Sequence, residues 1–545
     1  MPDPTRRPSW SALLKDARRL RRSSLRALFA ADPDRFARFA LRFEDLLLDL
    51  SKQRLDLQAR AHLIALLEEA GFAERRQALF SGGIVNRTEA RPALHTLLRA
   101  PEGSRLPLDG RDAAAEVMAV RRRLERFAEA VREGRLRGAR GEPFDAVLHI
   151  GIGGSELGPR LVCEALAPFA DGRLRVRFVA NIDPRALGEA IADLHPARTL
   201  VLVASKTFTT RETLANARHA RAWLEAELAS AASDHLVALT ARPERARAFG
   251  IAPERIFPFW DWVGGRFSLW SSVGLAIPLY LGTAHFRALL AGAHAMDEHF
   301  RTAPLQANLP VQAALADVWN STFLRLPARA VVPYDHGLRS LPAYLQQLEM
   351  ESNGKGVSEE GDPVAWPTGP VVWGGTGTDA QHAFFQHLHQ GTAVVPVDIL
   401  AAARPVAGDA ERHRELLANA LAQARALAFG RTLEETRAQL AREGLDPELL
   451  ARLLPHRTFP GDRPTSFFLY HKLTPYRLGG LLALFEHRVF TQGVIWNIDS
   501  FDQWGVELGK ELAAQLLPAL CGDAAAGEGW DASTRGLVAA ARTMI

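Results

Sequence analysis

Beyond Phe144 the chain alternates short, mainly apolar segments with longer amphipathic ones. Ala146–Ile150, Val176–Ala180, Thr199–Ala204 and Leu236–Leu239 are mostly apolar, interrupted by His149 and Arg177, and each is too short for a helix. This pattern predicts strands buried on both faces, hence a parallel sheet covered by helices on both sides. A second set, Ala330–Pro333, Val371–Trp373 and Ala393–Val397, predicts a second sheet of the same kind. The first 110 residues predict helices instead, from apolar spacing near 3.6 at Phe36, Phe39, Phe43 and Leu46–Leu48. The reading is an α/β chain divided into a helical segment 1–111, α/β domains 112–285 and 286–510, and a C-terminal helix and tail 511–545.

Composition closes off other classes. At 545 residues the chain can bury a large core without staples, and two cysteines cannot make a disulfide framework. The longest greasy run, Val273 to Gly282, is broken by Pro278 and is far short of the ~20 residues of a membrane span. The opening MPDPTRRPSW carries no secretory stretch, so a reducing cytoplasmic location is expected. Net charge is only +4 with acids and bases interleaved, and Arg18, Arg19, Arg21 and Arg22 read as a solvated helix face. No nucleic-acid or membrane partner is expected. Positive charge is almost always arginine, with six lysines against sixty arginines, so a lysine in a polar motif invites a reason.

Three predicted strands run into loops suited to chemistry. Ile150 leads into Gly151-Ile152-Gly153-Gly154-Ser155, where glycines let backbone N–H groups approach an anion at a helix start. A dinucleotide fingerprint would need glycine where Glu156 stands, and a Walker loop ending at Lys355 would need one where Glu349 stands. Ala204 leads into Ser205-Lys206-Thr207-Phe208-Thr209-Thr210, followed by Glu212; four hydroxyls and a cation in six residues suit a phosphate. Trp373 leads into Gly374-Gly375-Thr376-Gly377-Thr378-Asp379-Ala380-Gln381-His382. His382, His387 and His389 lack the i, i+4 pairing of a helical zinc site, and His382 reads as an acid/base group.

Other motifs supply charge. Gly264-Gly265-Arg266 presents a fixed guanidinium suited to a developing oxyanion. Gln346-Gln347-Leu348-Glu349-Met350-Glu351-Ser352-Asn353-Gly354-Lys355 places a candidate base among amides and small polar groups. Near the end, Gln503-Trp504-Gly505-Val506-Glu507-Leu508-Gly509-Lys510 offers an amide and an ammonium.

Taken in order, IGIGGSELGP (150–159), SKTFTTRET (205–213), FWDWVGGRFSLWSSVGL (259–275), MESNGK (350–355), GGTGTDAQHAFFQHLHQGT (374–392) and FDQWGVELGK (501–510) resemble the phosphoglucose isomerase family. Asn86-Arg87-Thr88-Glu89-Ala90-Arg91-Pro92 resembles its N-terminal signature, and the likeness covers about residues 45 to 515. The resemblance implies two sugar-isomerase (SIS-type) three-layer αβα domains, a homodimer with shared sites, a sugar phosphate substrate, and neither metal nor cofactor. It implies a phosphate site from Ser155, Ser205, Lys206, Thr207 and Thr210, with Lys206 acting mainly through its backbone, and substrate contacts from Gly154 and Gly265. Glu351 would be the base, Arg266 would stabilise the enediolate, and His382 and Lys510 would serve ring opening. Gln347, Gln503 and Glu212 would line the site, and His382 would come from the partner chain. Leu348 and Asp379-Ala380, the latter where many relatives carry Asn-Gly, are small departures. A non-catalytic sugar-phosphate sensor and an NAD-dependent dehydrogenase are the competing classes.

Overall fold

The structure is a computed structural model describing residues 3–523 and 529–544. They divide into two compact units, one ending at Ser500 and one beginning at Phe501. In chain order the strands are β1 (Ala40–Phe43), β2 (Leu46–Asp49), β3 (Pro107–Leu108), β4 (Arg111–Asp112), β5 (Ala146–Ile150), β6 (Arg175–Val179), β7 (Thr199–Ala204), β8 (Leu236–Thr240), β9 (Ile256–Pro258), β10 (Ala328–Tyr334), β11 (Val371–Gly374), β12 (Val397–Ala402) and β13 (Thr465–Tyr470).

The first sheet has the order β6-β5-β7-β8-β9, every pair parallel. Leu148 and Ile150 of β5, Val201 and Val203 of β7 and Leu236 and Ala238 of β8 share one face. They pack on Ala217, Ala220 and Leu224 of the helix Arg211–Leu228. All of β5, β7 and β8 is buried. Each large aliphatic side chain so covered contributes roughly 1.5–3 kcal/mol.

The second sheet has the order β1-β2-β13-β12-β10-β11, parallel from β13 to β11 and antiparallel at the β1–β2–β13 edge. Here the structure corrects the sequence reading in three places. The helix expected through Phe36–Leu48 stops at Phe39, and the chain turns through Glu44 at φ 53° into a hairpin that joins this sheet. Leu46 to Asp49 are all buried because both faces of the sheet are covered, which makes their apolar run look helical in sequence. The strand expected at Ala393–Val397 begins only at Val397, since Pro396 has no N–H for the ladder. Asp398 interrupts its apolar run and yet is buried, because Arg488 Nη1 donates to its carboxylate at 2.7 Å. β13, at the sheet centre, and the short β9 had no counterpart in the reading.

The helices Thr283–Thr302 and Pro475–Trp496 pack closely against each other. A Cβ at Gly292 would lie 1.7 Å from the Tyr476 carbonyl oxygen, and one at Gly479 1.9 Å from that of Leu289. Nearly the whole of Pro475–Trp496 is buried, so it serves as the central strut of the unit.

Candidate active site

Two anion-type loops leave the carboxyl ends of neighbouring strands. Ile150 of β5 pairs with Val203 of β7, so 151–155 and 205–210 begin almost level at the same sheet edge. The helix Arg211–Leu228 starts at Thr210 without a side-chain cap; the Thr210 hydroxyl lies 3.1 Å from Ser205 Oγ instead. Thr207 and Thr209 hydroxyls are 2.7 Å apart. Phe208 is buried at φ 53°, which turns its neighbours outward as a polar rim. The 18-residue helix thus starts at the end of a loop rich in hydroxyls, an arrangement suited to an anion. Glu212 is half-buried in that first turn.

Beneath the other loop lies a residue the sequence reading passed over. His149 of β5 is fully buried, and its Nε2 is 2.7 Å from the Ser155 carbonyl oxygen. A carbonyl only accepts, so Nε2 carries the proton. Burial holds the imidazole down to about 4, so it remains a neutral donor under the loop.

The 151–155 loop touches the arginine loop directly. A Cβ at Gly154 would lie 2.1 Å from the Gly265 carbonyl carbon and 2.5 Å from Arg266 N, so the approach requires glycine. Ser268 Oγ donates to the Gly154 carbonyl at 3.2 Å. Gln347 joins them, its Nε2 lying 2.9 Å from where a Gly153 Cβ would stand. Ser155 is half-buried on the same loop.

Arg266 is almost wholly buried. Its Nε donates to Ser352 Oγ at 2.6 Å and its Nη2 to the Ser500 carbonyl at 2.6 Å. Nη1 stands 3.4 Å from Glu351 Oε1, whose side chain is 17% exposed, so the carboxylate can still meet a ligand. Ser352 and the Ser500 carbonyl were not among the expected site groups; for Ser352, adjacency to Glu351 was the only available signal. Glu351 ends a π-helical turn, Gln346–Glu351, a geometry concentrated at functional sites. Inside that turn Glu349 is buried against Arg329, which also binds Asp317. Burial and the nearby Asp317 raise the Glu349 carboxyl above its usual range. On the other side Trp270 Nε1 donates to Glu486 Oε1 at 2.7 Å, and Glu486 pairs with Arg99. Both segments that carry the ion pair are therefore fastened to the same helix, Pro475–Trp496, through Glu486 and Gln492.

Lys206 departs most from a simple phosphate contact. Its Nζ donates to the carbonyls of Asp261 and Val263, both at 2.8 Å. Burial, with Arg91 nearby, pulls the ammonium down to about 8. His382 is exposed on the helix Gly377–Ala383, while His389 is bonded to Gln423 at 2.8 Å. Gln503 and Lys510 belong to the second unit, where both are exposed; Lys510 Nζ donates to Glu507 at 2.8 Å. Thus the first unit brings together Gly154, Gly265, Arg266, Gln347 and Glu351.

Comparison with known proteins shows the family. The sequence model of phosphoglucose isomerase matches residues 49–538. The chain is 51% identical over 535 residues to a glucose-6-phosphate isomerase of Methylocella silvestris, covering 98% of this chain and 97% of that one. It is 49% identical over 540 residues to one of Methylococcus capsulatus, covering 99% of each. The crystal structure of a glucose-6-phosphate isomerase from Chlamydia trachomatis superposes with a TM-score of 0.86 at 32% identity, covering 100% of both chains. On the matched length, the shared fold and the motifs in order, the chain belongs to the phosphoglucose isomerase family.

Proposed function

We propose that this chain interconverts D-glucose 6-phosphate and D-fructose 6-phosphate, a reversible aldose–ketose isomerisation serving glycolysis and gluconeogenesis. The observation that carries the reading is the buried Arg266 guanidinium 3.4 Å from the accessible Glu351 carboxylate, beside the loops 151–155 and 205–210. The loops suit the 6-phosphate, through Ser155, Ser205, Lys206, Thr207 and Thr210, with Gln347, Gln503 and Glu212 around the sugar.

In the reaction, His382 and Lys510 serve ring opening as proton donor and acceptor. Glu351 then takes the C2 hydrogen of the open aldose as a proton, and the bonding pair becomes part of the C1=C2 enediolate. Arg266 stabilises the negative oxygen. The same carboxyl returns a proton to C1 while the O2 hydroxyl proton passes to O1. Nothing is oxidised or reduced overall, so the step consumes no nicotinamide. The exposure of His382 supports a homodimer in which that residue serves a neighbouring copy's site. Both cysteines are free, which supports a cytoplasmic location, and no described helix is long and apolar enough to cross a membrane.

The test is incubation of purified protein with fructose 6-phosphate, without nicotinamide, and separation of the hexose phosphates by chromatography. Glucose 6-phosphate is the expected product. Bound but unchanged fructose 6-phosphate would support a sensor instead, and mannose 6-phosphate would show relaxed facial control at C2.

A further inference from the structure

Lys206 sits in the loop that suits the phosphate, but its ammonium turns to a different element. Two of its three N–H bonds go to the carbonyls of Asp261 and Val263. Its own carbonyl is held by Ala241 N at 3.0 Å and Thr240 Oγ1 at 3.1 Å, so the residue is fixed at both ends. The Asp261 carbonyl also accepts from Arg91 Nη1 at 3.1 Å, and the Asp261 carboxylate from Arg242 Nη1 at 3.0 Å. Val263 is fully buried, and three residues beyond it is Arg266. Between them Gly264 and Gly265 offer little stiffness of their own, and Gly265 has open space where a side chain would stand.

We propose that the Lys206 ammonium is a positioning group. It ties the 205–210 loop to the backbone that delivers Arg266, so that the guanidinium meets Glu351 and the reacting oxygens at a set distance from the bound phosphate. Two convergent carbonyls suit a compact tetrahedral ammonium, whereas a planar guanidinium fork is built for carboxylates. That accounts for a lysine here in a chain that otherwise uses arginine sixty times against six. A shift of about 1 Å in a positioned group can cost on the order of 10²-fold in rate while ligand affinity survives. The proposal rests on the isomerase reading of the site.

The experiment compares wild type, Lys206→Met and Lys206→Arg in three readings: kcat on fructose 6-phosphate, inhibition by inorganic phosphate, and inhibition by 5-phosphoarabinonate. The last carries a negative carboxylate where the enediolate forms. A wild-type protein that does not isomerise would overturn the isomerase reading at the first step, and this proposal with it. Given active wild type, Lys206→Met should lose about 10- to 100-fold in kcat and bind 5-phosphoarabinonate correspondingly more weakly, with phosphate inhibition within about twofold. Lys206→Arg should show the same split in milder form, and it carries the test if the methionine variant does not fold. Adding Lys206→Met to Arg266→Lys should cost little more, because both act through one guanidinium. Phosphate inhibition weakened about tenfold, with or without loss of kcat, would make the ammonium a phosphate ligand and overturn the proposal. So would unchanged kcat.

Discussion

Arg266 Nη1 stands 3.4 Å from Glu351 Oε1, and the same guanidinium is fastened to Ser352 and to the Ser500 carbonyl. That separation is longer than a charge-assisted hydrogen bond. The carboxylate is near enough to feel the positive charge and is not locked by a bidentate fork, so it can swing between two adjacent carbons. Arg266→Lys keeps a charge and loses the fork. It should lower kcat by about 10²–10³-fold and leave KM for the sugar phosphate within a few-fold, since the lost interaction belongs to the enediolate. Steady-state kinetics checks this, and a rise in KM with kcat intact would assign Arg266 to ground-state binding.

The phosphate loop makes a separate prediction. Ser205 and Thr210 hydroxyls are 3.1 Å apart, and Thr210 is the residue at which the helix Arg211–Leu228 starts. Replacing both by alanine should weaken inhibition by inorganic phosphate and by 5-phosphoarabinonate together. Each charge-assisted hydrogen bond lost is on the order of 1.5–3 kcal/mol, about tenfold or more in affinity. Inhibitor affinity unchanged in the folded double variant would remove both residues from the site.

Acid stability follows from His149. Its folded value is depressed to about 4 from 6.5 because the ring is buried. Between those values the unfolded chain takes the extra proton, so the neutral ring's contribution is full above pH 6.5 and drains as pH falls toward 4. Burial lowers His299 to about 4 as well, in the same direction. Thermal midpoints should therefore fall steadily across that window. His149→Gln, whose amide can donate to the Ser155 carbonyl without titrating, should make the fall shallower. An unchanged slope would mean that His149 does not titrate with unfolding.

The shared-site dimer is tested by mixing chains. If His382 serves a neighbouring copy, His382→Ala and Glu351→Gln chains should each be nearly inactive alone. Co-refolded together they should recover part of the activity, because one site of a mixed dimer then holds both native residues. No recovery in a sample shown by mass to contain mixed dimers would place both residues in one chain's site.

Much of this arrangement was legible in the sequence because the relevant signals are local. Ala146–Ile150 and Thr199–Ala204 are strands at the expected residues, since short, mainly apolar runs ending in glycine or hydroxyl loops have few other solutions in a covered parallel sheet. The edge of the second sheet was not legible. Leu46–Asp49 is buried on both faces, and its pairing with β13, more than four hundred residues away, has no local signature. Asp398 concealed β12 because its partners, Arg488 and Arg329, are also non-local, about ninety and seventy residues away. At the site, residue types and order indicated Arg266 and Glu351. The work of Lys206 and His149 depends on where a side chain turns, toward carbonyls of other loops, and no spacing rule encodes that.

Glu351 as the base that moves hydrogen between C2 and C1 is the central claim, and Glu351→Gln tests it most directly. Glutamine keeps the shape and some hydrogen bonding but has no basic oxygen. Binding of 5-phosphoarabinonate should persist, and turnover should fall by about 10²–10⁴-fold or more. The decisive measurement is exchange of the C2 hydrogen of glucose 6-phosphate with deuterated solvent, followed by proton NMR at saturating substrate. Exchange is expected to stop in Glu351→Gln, while interconversion of the ring anomers through His382 and Lys510 continues. Exchange persisting near the wild-type rate in the saturated variant would contradict the claim and make Glu212, half-buried in the first turn beside the 205–210 loop, the next residue to replace.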